Sequence, residues 1–208
     1  LNGSLILSGA NETHTRGFNF GTASASQGNY NIGSSTASGT GTGSFTHATG
    51  TVAGTELTKG TAYYFRAYAA SSTAAIKLVY GDEAVFLTGI DDPASLARTS
   101  RTGSEISLSW TKGTGAGKTY PRYRTDQYPT SITDGSEGCI SSGTSCTVSS
   151  LSCGTTYYFR AWSSTTAAGL STTSDSYTQL TDSTNACPTP TVGGRVCVGA
   201  RVFPDSLV

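Results

Sequence analysis

The run of residues 112–119 carries the clearest chemical pattern in the chain, because it is rich in glycine and ends in Gly-Lys-Thr, as a phosphate-binding P-loop does. The motif needs a glycine at the position that Lys112 occupies. It also needs a helix directly after the loop, and the Thr-Tyr-Pro sequence that ends at Pro121 cannot open one. We therefore interpret this run as a flexible loop between two strands, not as a nucleotide site.

Acidic residues stand in two adjacent pairs, Asp82 with Glu83 and Asp91 with Asp92. General acid–base catalysis needs two carboxyl groups that face one pocket, whereas neighbouring residues of a strand point to opposite faces. A calcium site around Asp134 would have too few ligands, and the spacing of the histidines and cysteines does not match a zinc site. No catalytic residue, metal ligand or cofactor is therefore expected, and the chain is not expected to be an enzyme.

All five cysteines lie in the last 70 residues, a pattern that favours disulfides in an oxidising compartment. Cys139 and Cys146 flank a predicted hairpin, so a local bridge between them is expected. Cys153 and Cys187 stand at the ends of two segments that should run side by side, which allows a second bridge. The pair Cys187–Cys197 is the alternative, and the remaining cysteine could join two subunits.

The composition excludes several classes of partner. The chain has 13 basic and 13 acidic residues among 208, so it has no basic patch for nucleic acid. No run of 18 apolar residues could span a membrane. Glycine, serine and threonine supply 91 positions, methionine is absent, and the first residue is Leu1. These features fit a processed extracellular or cell-surface protein, or a piece of a longer chain.

The sequence repeats itself once, and the repeat predicts two domains. Residues 60–68 read GTAYYFRAY and residues 154–162 read GTTYYFRAW, 94 positions later. That offset is the size of one small β-sandwich. The turn-forming residues 89–93 mark the boundary between the copies. We expect a first domain over residues 1–90, a second over 91–181 and a C-terminal tail over 182–208.

Hydrophobic residues recur with a period of two, which is typical of strands. Ile106, Leu108 and Trp110 alternate with serines, and no stretch of ten residues has the periodicity of an amphipathic helix. Threonine and tyrosine favour strands, while the glycine and serine clusters between them favour turns. The predicted fold class is all-β.

The segment 151–161 resembles the loop and sixth strand of fibronectin type III domains, and Trp110 stands where that family has its second-strand tryptophan. The resemblance implies two tandem immunoglobulin-like sandwiches, in which Tyr63 and Tyr157 form tyrosine corners. It also implies a core that contains Phe18, Phe20, Phe65, Trp110 and Phe159.

The first domain is similar to bacterial surface versions of the fold, with residues 1–5 as the second strand, 16–22 as the third and 80–86 as the last. In the second domain, residues 94–98 supply a first strand ahead of the second. The first domain has no such segment, because the chain begins where the second strand would begin. A sandwich that lacks a strand exposes an apolar groove and unpaired backbone groups.

A strand from another molecule could fill this groove, as in pili that assemble by strand exchange. The hypothesis is a homopolymeric, pilus-like filament in which a terminal strand of one subunit completes another subunit. The favoured donor is the N-terminal segment, with Leu1, Leu5, Ile6 and Leu7. A second candidate strand lies in the tail, with Val196, Val198, Val202 and Phe203. In the alternative, both ends pair within their own chain.

A rival function is a spacer or carbohydrate-binding module of a secreted enzyme or adhesin. Exposed aromatic rings could stack on sugars, and the candidates are Tyr64, Tyr68, Tyr158 and Trp162. The alternative for these rings is cross-strand packing on the outer face of the sheet. Asn11 lies in an Asn-x-Thr triplet and is the candidate for glycosylation.

Overall fold

A computed structural model describes residues 2–5, 13–25, 30, 32–40, 43–46, 51–52, 55–71 and 78–189. In these residues every regular element is a strand and no helix is present, which confirms the all-β prediction. The first sandwich contains β1 Asn2–Leu5, β2 Thr13–Gly21, β3 Gly33–Thr40, β4 Gly43–Thr46, β5 Thr51–Val52, β6 Thr55–Glu56, β7 Ala62–Ser71 and β8 Leu78–Leu87. The second contains β9 Ala94–Arg101, β10 Ile106–Thr111, β11 Lys118–Arg124, β12 Ser136–Glu137, β13 Ser145–Val148, β14 Thr156–Ala167, β15 Leu170–Thr173 and β16 Thr178–Ser183.

The second sandwich has two antiparallel sheets. One has the strand order β13-β10-β9, and the other has the order β12-β11-β14-β16, with β15 pairing the far end of β14. Ile106 and Leu108 on β10 are fully buried, while the serines between them face outward, as the period of two predicts. They pack with Trp110, Phe159 and the buried face of Tyr157. The expected domain end at residue 181 falls inside β16.

Among the described residues, the first sandwich repeats this order without a counterpart of β9 or β15, and its short strands β5 and β6 pair with each other. Its larger sheet runs β3-β2-β7-β8, the counterpart of β12-β11-β14-β16, and its smaller sheet contains only β1 and β4. Phe18, Phe20 and Phe45 form its buried core, against which Phe65 is partly buried. By position, β1 and β4 correspond to β10 and β13. No described strand of the first sandwich corresponds to β9.

Candidate functional site

In the first acidic pair, Glu83 binds the connection that follows β2. The carboxylate of Glu83 on β8 accepts hydrogen bonds from Ser24 Oγ at 2.5 Å, Tyr30 Oη at 2.6 Å and the Ala25 amide at 3.1 Å. These bonds, led by that from Ser24, lower the pKa of Glu83, and burial together with the bond to Glu83 raises the pKa of Tyr30 to about 12. Asp82, its neighbour, is exposed. The two carboxyl groups do not share a pocket.

The other carboxylates also bind protein groups. Asp134 accepts bonds from the Thr130 amide and hydroxyl and from Arg124, which lower its pKa. Asp92 Oδ1 accepts the Ser176 amide at 3.0 Å. In the described ranges, no three histidine, cysteine or acidic side chains stand close enough to share a metal ion. The same residues contain no helix of the length and apolarity needed to cross a bilayer.

The glycine-rich run 112–119 joins the two sandwiches. It connects β10 to β11, as expected, but no helix comes after it. A Cβ built on Gly113 would lie 2.0 Å from the Asp91 carbonyl oxygen, and one on Gly115 would lie 2.6 Å from the Lys59 carbonyl carbon. The interpretation as a flexible loop is therefore wrong, because the absence of side chains here lets two backbones pack directly.

Asp91 completes this joint. Its carboxylate pairs with the Lys59 ammonium, which lowers the Asp91 pKa, and its amide donates to the Thr114 carbonyl at 3.0 Å. Gly60, beside Lys59, has a φ of 65° and donates its amide to the Gly89 carbonyl. The linker is therefore bonded both to the turn that precedes β7 and to the loop after β10.

The two tyrosine corners that the resemblance implies are present. The Thr58 amide donates to Tyr63 Oη at 2.9 Å, and the Ser152 amide donates to Tyr157 Oη at 2.8 Å. Both tyrosine side chains are buried. Each bond ties the turn to the strand that comes after it, so the phenol positions the whole segment.

The structure contains the two disulfides that the sequence favours, Cys139–Cys146 and Cys153–Cys187. Cys146 lies on β13, while Cys139 lies in the connection after β12, so the first bridge joins a loop to a strand and does not cross a hairpin. The second bridge fixes the chain just after β16 to the turn before β14. Cys197 lies outside the described residues.

The aromatic side chains of the second sandwich pack on one another. Trp162 is 6% exposed and lies edge-on to Tyr177, and Tyr158 lies edge-on to Tyr128. The Arg160 guanidinium stands over the rings of Tyr128 and Tyr177. The expectation of an exposed Trp162 is therefore wrong, because these neighbours cover the ring. Tyr128 and Tyr177 lie in connections outside the strands, so these contacts are made with loop residues and are not cross-strand pairs.

Among the described residues, the first sandwich has an edge strand without a partner on one side. β1 pairs with β4 along one side, and no described strand pairs with its other side. In the second sandwich β9 occupies that side of β10 and buries Leu96 in the core. β8, the last strand of the larger sheet, likewise has no described partner beyond β7.

An apolar cavity of about 270 Å³ lies between these two strands. Its lining comes from both sheets, namely Ser4, Phe45, Ala67, Tyr68, Ala69, Val79, Tyr80 and Gly81. Val79 is 45% exposed beside Ala69, its partner on β7. Sequence reasoning named only Tyr68 among these residues as a functional candidate, for stacking on a sugar. The apolar Val79 and the small residues Ala67 and Ala69 were visible signals that it did not use.

The N-terminal donor hypothesis conflicts with the observed pairing. Asn2–Leu5 forms β1 and pairs with β4 of its own domain. A donated strand would have to leave this position, so the N-terminal segment is not the donor that we propose below. The remaining donor candidates Leu1, Ile6 and Leu7 lie outside the described residues. So do Asn11 and the tail candidates Val196, Val198, Val202 and Phe203.

Comparison with known proteins finds resemblances to solved structures at low sequence identity. No family model and no curated protein matches the chain. A two-domain fibronectin type III segment of chicken tenascin is 12% identical, with 88% of this chain and 98% of that chain covered and a TM-score of 0.42. The FN1–FN3 domains of chicken CNTN1 are 15% identical, with 84% of this chain and 55% of that chain covered and a TM-score of 0.37. The strand order and the two tyrosine corners show that the described residues form tandem fibronectin type III-like β-sandwiches.

Proposed function

We propose that the protein is a structural subunit of an extracellular, pilus-like filament in which a β-strand of another copy completes the first sandwich. The observation that carries this proposal is the outer edge of β1, which has no described partner and borders the apolar cavity. The protein is then a homopolymer with a non-catalytic role. A spacer or carbohydrate-binding role is the alternative.

An added strand would gain both backbone hydrogen bonds and apolar contacts in the first sandwich. It would pair with the backbone groups along β1, and each such hydrogen bond contributes about 0.5–1.5 kcal/mol net. It would also cover apolar atoms of Phe45 and Val79, whose removal from water is favourable at about 25 cal/mol per Å². Strand addition of this kind gives affinity through the backbone and specificity through the side-chain pocket.

A contact of this kind between copies leads to a filament. The donated strand and the accepting edge are different surfaces, so each copy can donate to one neighbour and accept from another. A head-to-tail contact that does not close into a ring repeats without limit. The formal net charge of zero leaves little net-charge repulsion to oppose close packing. Two disulfides are consistent with an extracellular compartment.

Substitution of Val79 tests the accepting edge. Val79→Lys places a charge in the cavity that the donated strand must fill, and we expect it to abolish long assemblies in negative-stain images and sedimentation velocity. Leu78→Lys is the matched control, because Leu78 is 47% exposed on the same strand but does not line the cavity. The control should assemble like the parent protein.

Three results would overturn the proposal. Val79→Lys chains that form filaments as readily as Leu78→Lys chains would exclude the cavity as an acceptor. Parent protein that stays monomeric at all concentrations would exclude a polymer. Monodisperse particles that a polysaccharide column retains would support the carbohydrate-binding alternative. Circular dichroism and melting curves of both variants show whether each is folded, since both positions are exposed in the isolated chain.

A further inference from the structure

The turns before β7 and β14 are closed by the same set of bonds. Thr88 Oγ1 accepts the Thr61 amide at 2.9 Å and donates to the Thr58 carbonyl at 2.7 Å. In the second sandwich, Thr184 Oγ1 accepts the Thr155 amide at 3.1 Å and donates to the Ser152 carbonyl at 2.7 Å. The turn residues are 94 positions apart and the threonines are 96 apart. The ends of the two sandwiches are therefore built alike.

The two sandwiches also agree in the residues that bond the segment after their last strand, β8 or β16. Gly154 has a φ of 62°, like Gly60, and its amide donates to the Asn185 carbonyl as that of Gly60 donates to Gly89. The disulfide Cys153–Cys187 stands where the first sandwich has the Lys59–Asp91 ion pair, at the same offsets of 94 and 96. The chain thus leaves both sandwiches at equivalent points.

The first of these exit points leads into a completing strand. Three residues after Asp91 the chain enters β9, which pairs with the outer edge of β10 and completes the second sandwich. Counted in the same way from Cys187, a strand would begin at Pro190 and would need a sandwich that lacks its first strand. Among the described residues of the first sandwich, no strand pairs with the outer edge of β1, so this edge fits that requirement.

We infer that residues 190–208 are the donated strand, and that they enter the groove between β1 and β8 of a second copy of this chain. This inference rests on the proposed function and names its donor. The segment has 19 residues, against eight in β9, and lies outside the described residues. Its Val196, Val198 and Val202 fall on one face of a strand, which suits an apolar cavity.

The disulfide Cys153–Cys187 fixes the point at which the donor segment leaves the second sandwich. Cys187 is covalently fixed to Cys153, so the segment leaves the second sandwich from a defined position, as β9 leaves the first. A Cβ built on Gly154 would come no closer than 3.9 Å to Ala186 and Cys187, so among the described residues no group covers this turn as Gly115 covers Gly60. The first sandwich of the next copy can therefore approach this end.

Two complementary variants test the donor. A chain that ends at Thr189 cannot donate but keeps the accepting edge, whereas full-length Val79→Lys can donate but cannot accept. We expect each to be monomeric alone. Mixed in equal amounts, they should form one-to-one dimers and nothing longer, because each dimer has no remaining donor or acceptor. Sedimentation velocity and native mass spectrometry measure this directly.

The other possible outcomes contradict either the donor or the proposed function. If the chain that ends at Thr189 forms filaments alone, the donor is wrong while strand addition to the groove stands. A mixture that stays monomeric, when the parent protein forms filaments, also excludes this donor. If Val79→Lys forms filaments alone, the proposed function fails and this inference fails with it. In the same equal mixture, a full-length Leu78→Lys chain in place of Val79→Lys should form assemblies longer than dimers, because it can both donate and accept.

Discussion

Glu83 collects three hydrogen bonds and thereby ties the connection after β2 to β8 beside the cavity. The bonds, first of all that from Ser24, stabilise the ionised carboxylate and lower its pKa in the folded chain. A carboxylate of this kind adds stability above the unfolded pKa, near 4.5, and this stability is lost as the pH falls through the folded pKa.

Glu83→Gln should therefore remove part of the acid dependence of stability. We expect a loss of the order of 1 kcal/mol at pH 7, because the side chain is partly exposed and solvent screens the interaction. The loss should shrink as the pH falls through the folded pKa of Glu83, below which the parent carboxylate is also neutral. Denaturant unfolding from pH 3 to 7 measures it, with Asp82→Asn as the control on the same strand. An equal loss at every pH would contradict the assignment.

At the same scale, the sequence allowed several residue roles to be predicted because the relevant contacts are local. Tyr63 and Tyr157 each accept a bond from an amide five positions upstream, and that spacing is visible in the repeat. The burial of Trp162 was not predictable in the same way. It depends on Tyr177, which lies on another segment and covers the ring only after folding.

Among the elements, the joint between the sandwiches depends on glycine. Gly115 has a φ of 78° and packs against the turn at Lys59 and Gly60. Gly169, in the turn between β14 and β15, has a similar φ of 75° but no other group within 4 Å of a Cβ built on it. Alanine substitutions at Gly115 and Gly169 therefore separate two free-energy costs. One is the cost of the backbone conformation, and the other is the cost of the overlap with the neighbouring backbone.

Gly169→Ala should cost only the conformational penalty, about 1 kcal/mol. Gly115→Ala should carry the same penalty and also push the two sandwiches apart, because its methyl group would overlap backbone atoms. Small-angle X-ray scattering should show a changed domain arrangement for Gly115→Ala alone, and denaturant unfolding gives the penalties. Identical scattering from both variants and the parent would contradict a contact at this joint.

The elements also show where sequence reasoning stops. Alternation along β10 predicts its buried face, and the repeat predicts the paired sandwiches. It does not predict that Gly115 packs on the first sandwich or that Gly113 packs on the linker at Asp91, since a glycine has no side chain to add to a hydrophobic pattern. The cavity was equally hidden, because Ser4, Phe45 and Val79 come from three separate strands. Only the sheet order shows that they meet.

At the scale of the whole molecule, one sandwich has its first strand and the other has no described strand at that edge. The chain leaves the two sandwiches at equivalent points, Asp91 and Cys187. After Asp91 it forms β9, which completes the second sandwich. A chain whose β1 edge accepts a strand and whose residues 190–208 donate one, as we propose, can propagate. This polarity distinguishes the proposed subunit from a spacer with two closed sandwiches.

The most direct test is a high-resolution cryo-electron microscopy map of assemblies of the full chain. We predict density for an additional strand hydrogen-bonded along β1, with side chains that match part of residues 190–208 of the adjacent copy. A map in which residues of the same copy cover β1 and fill the cavity beside Val79 would contradict the account.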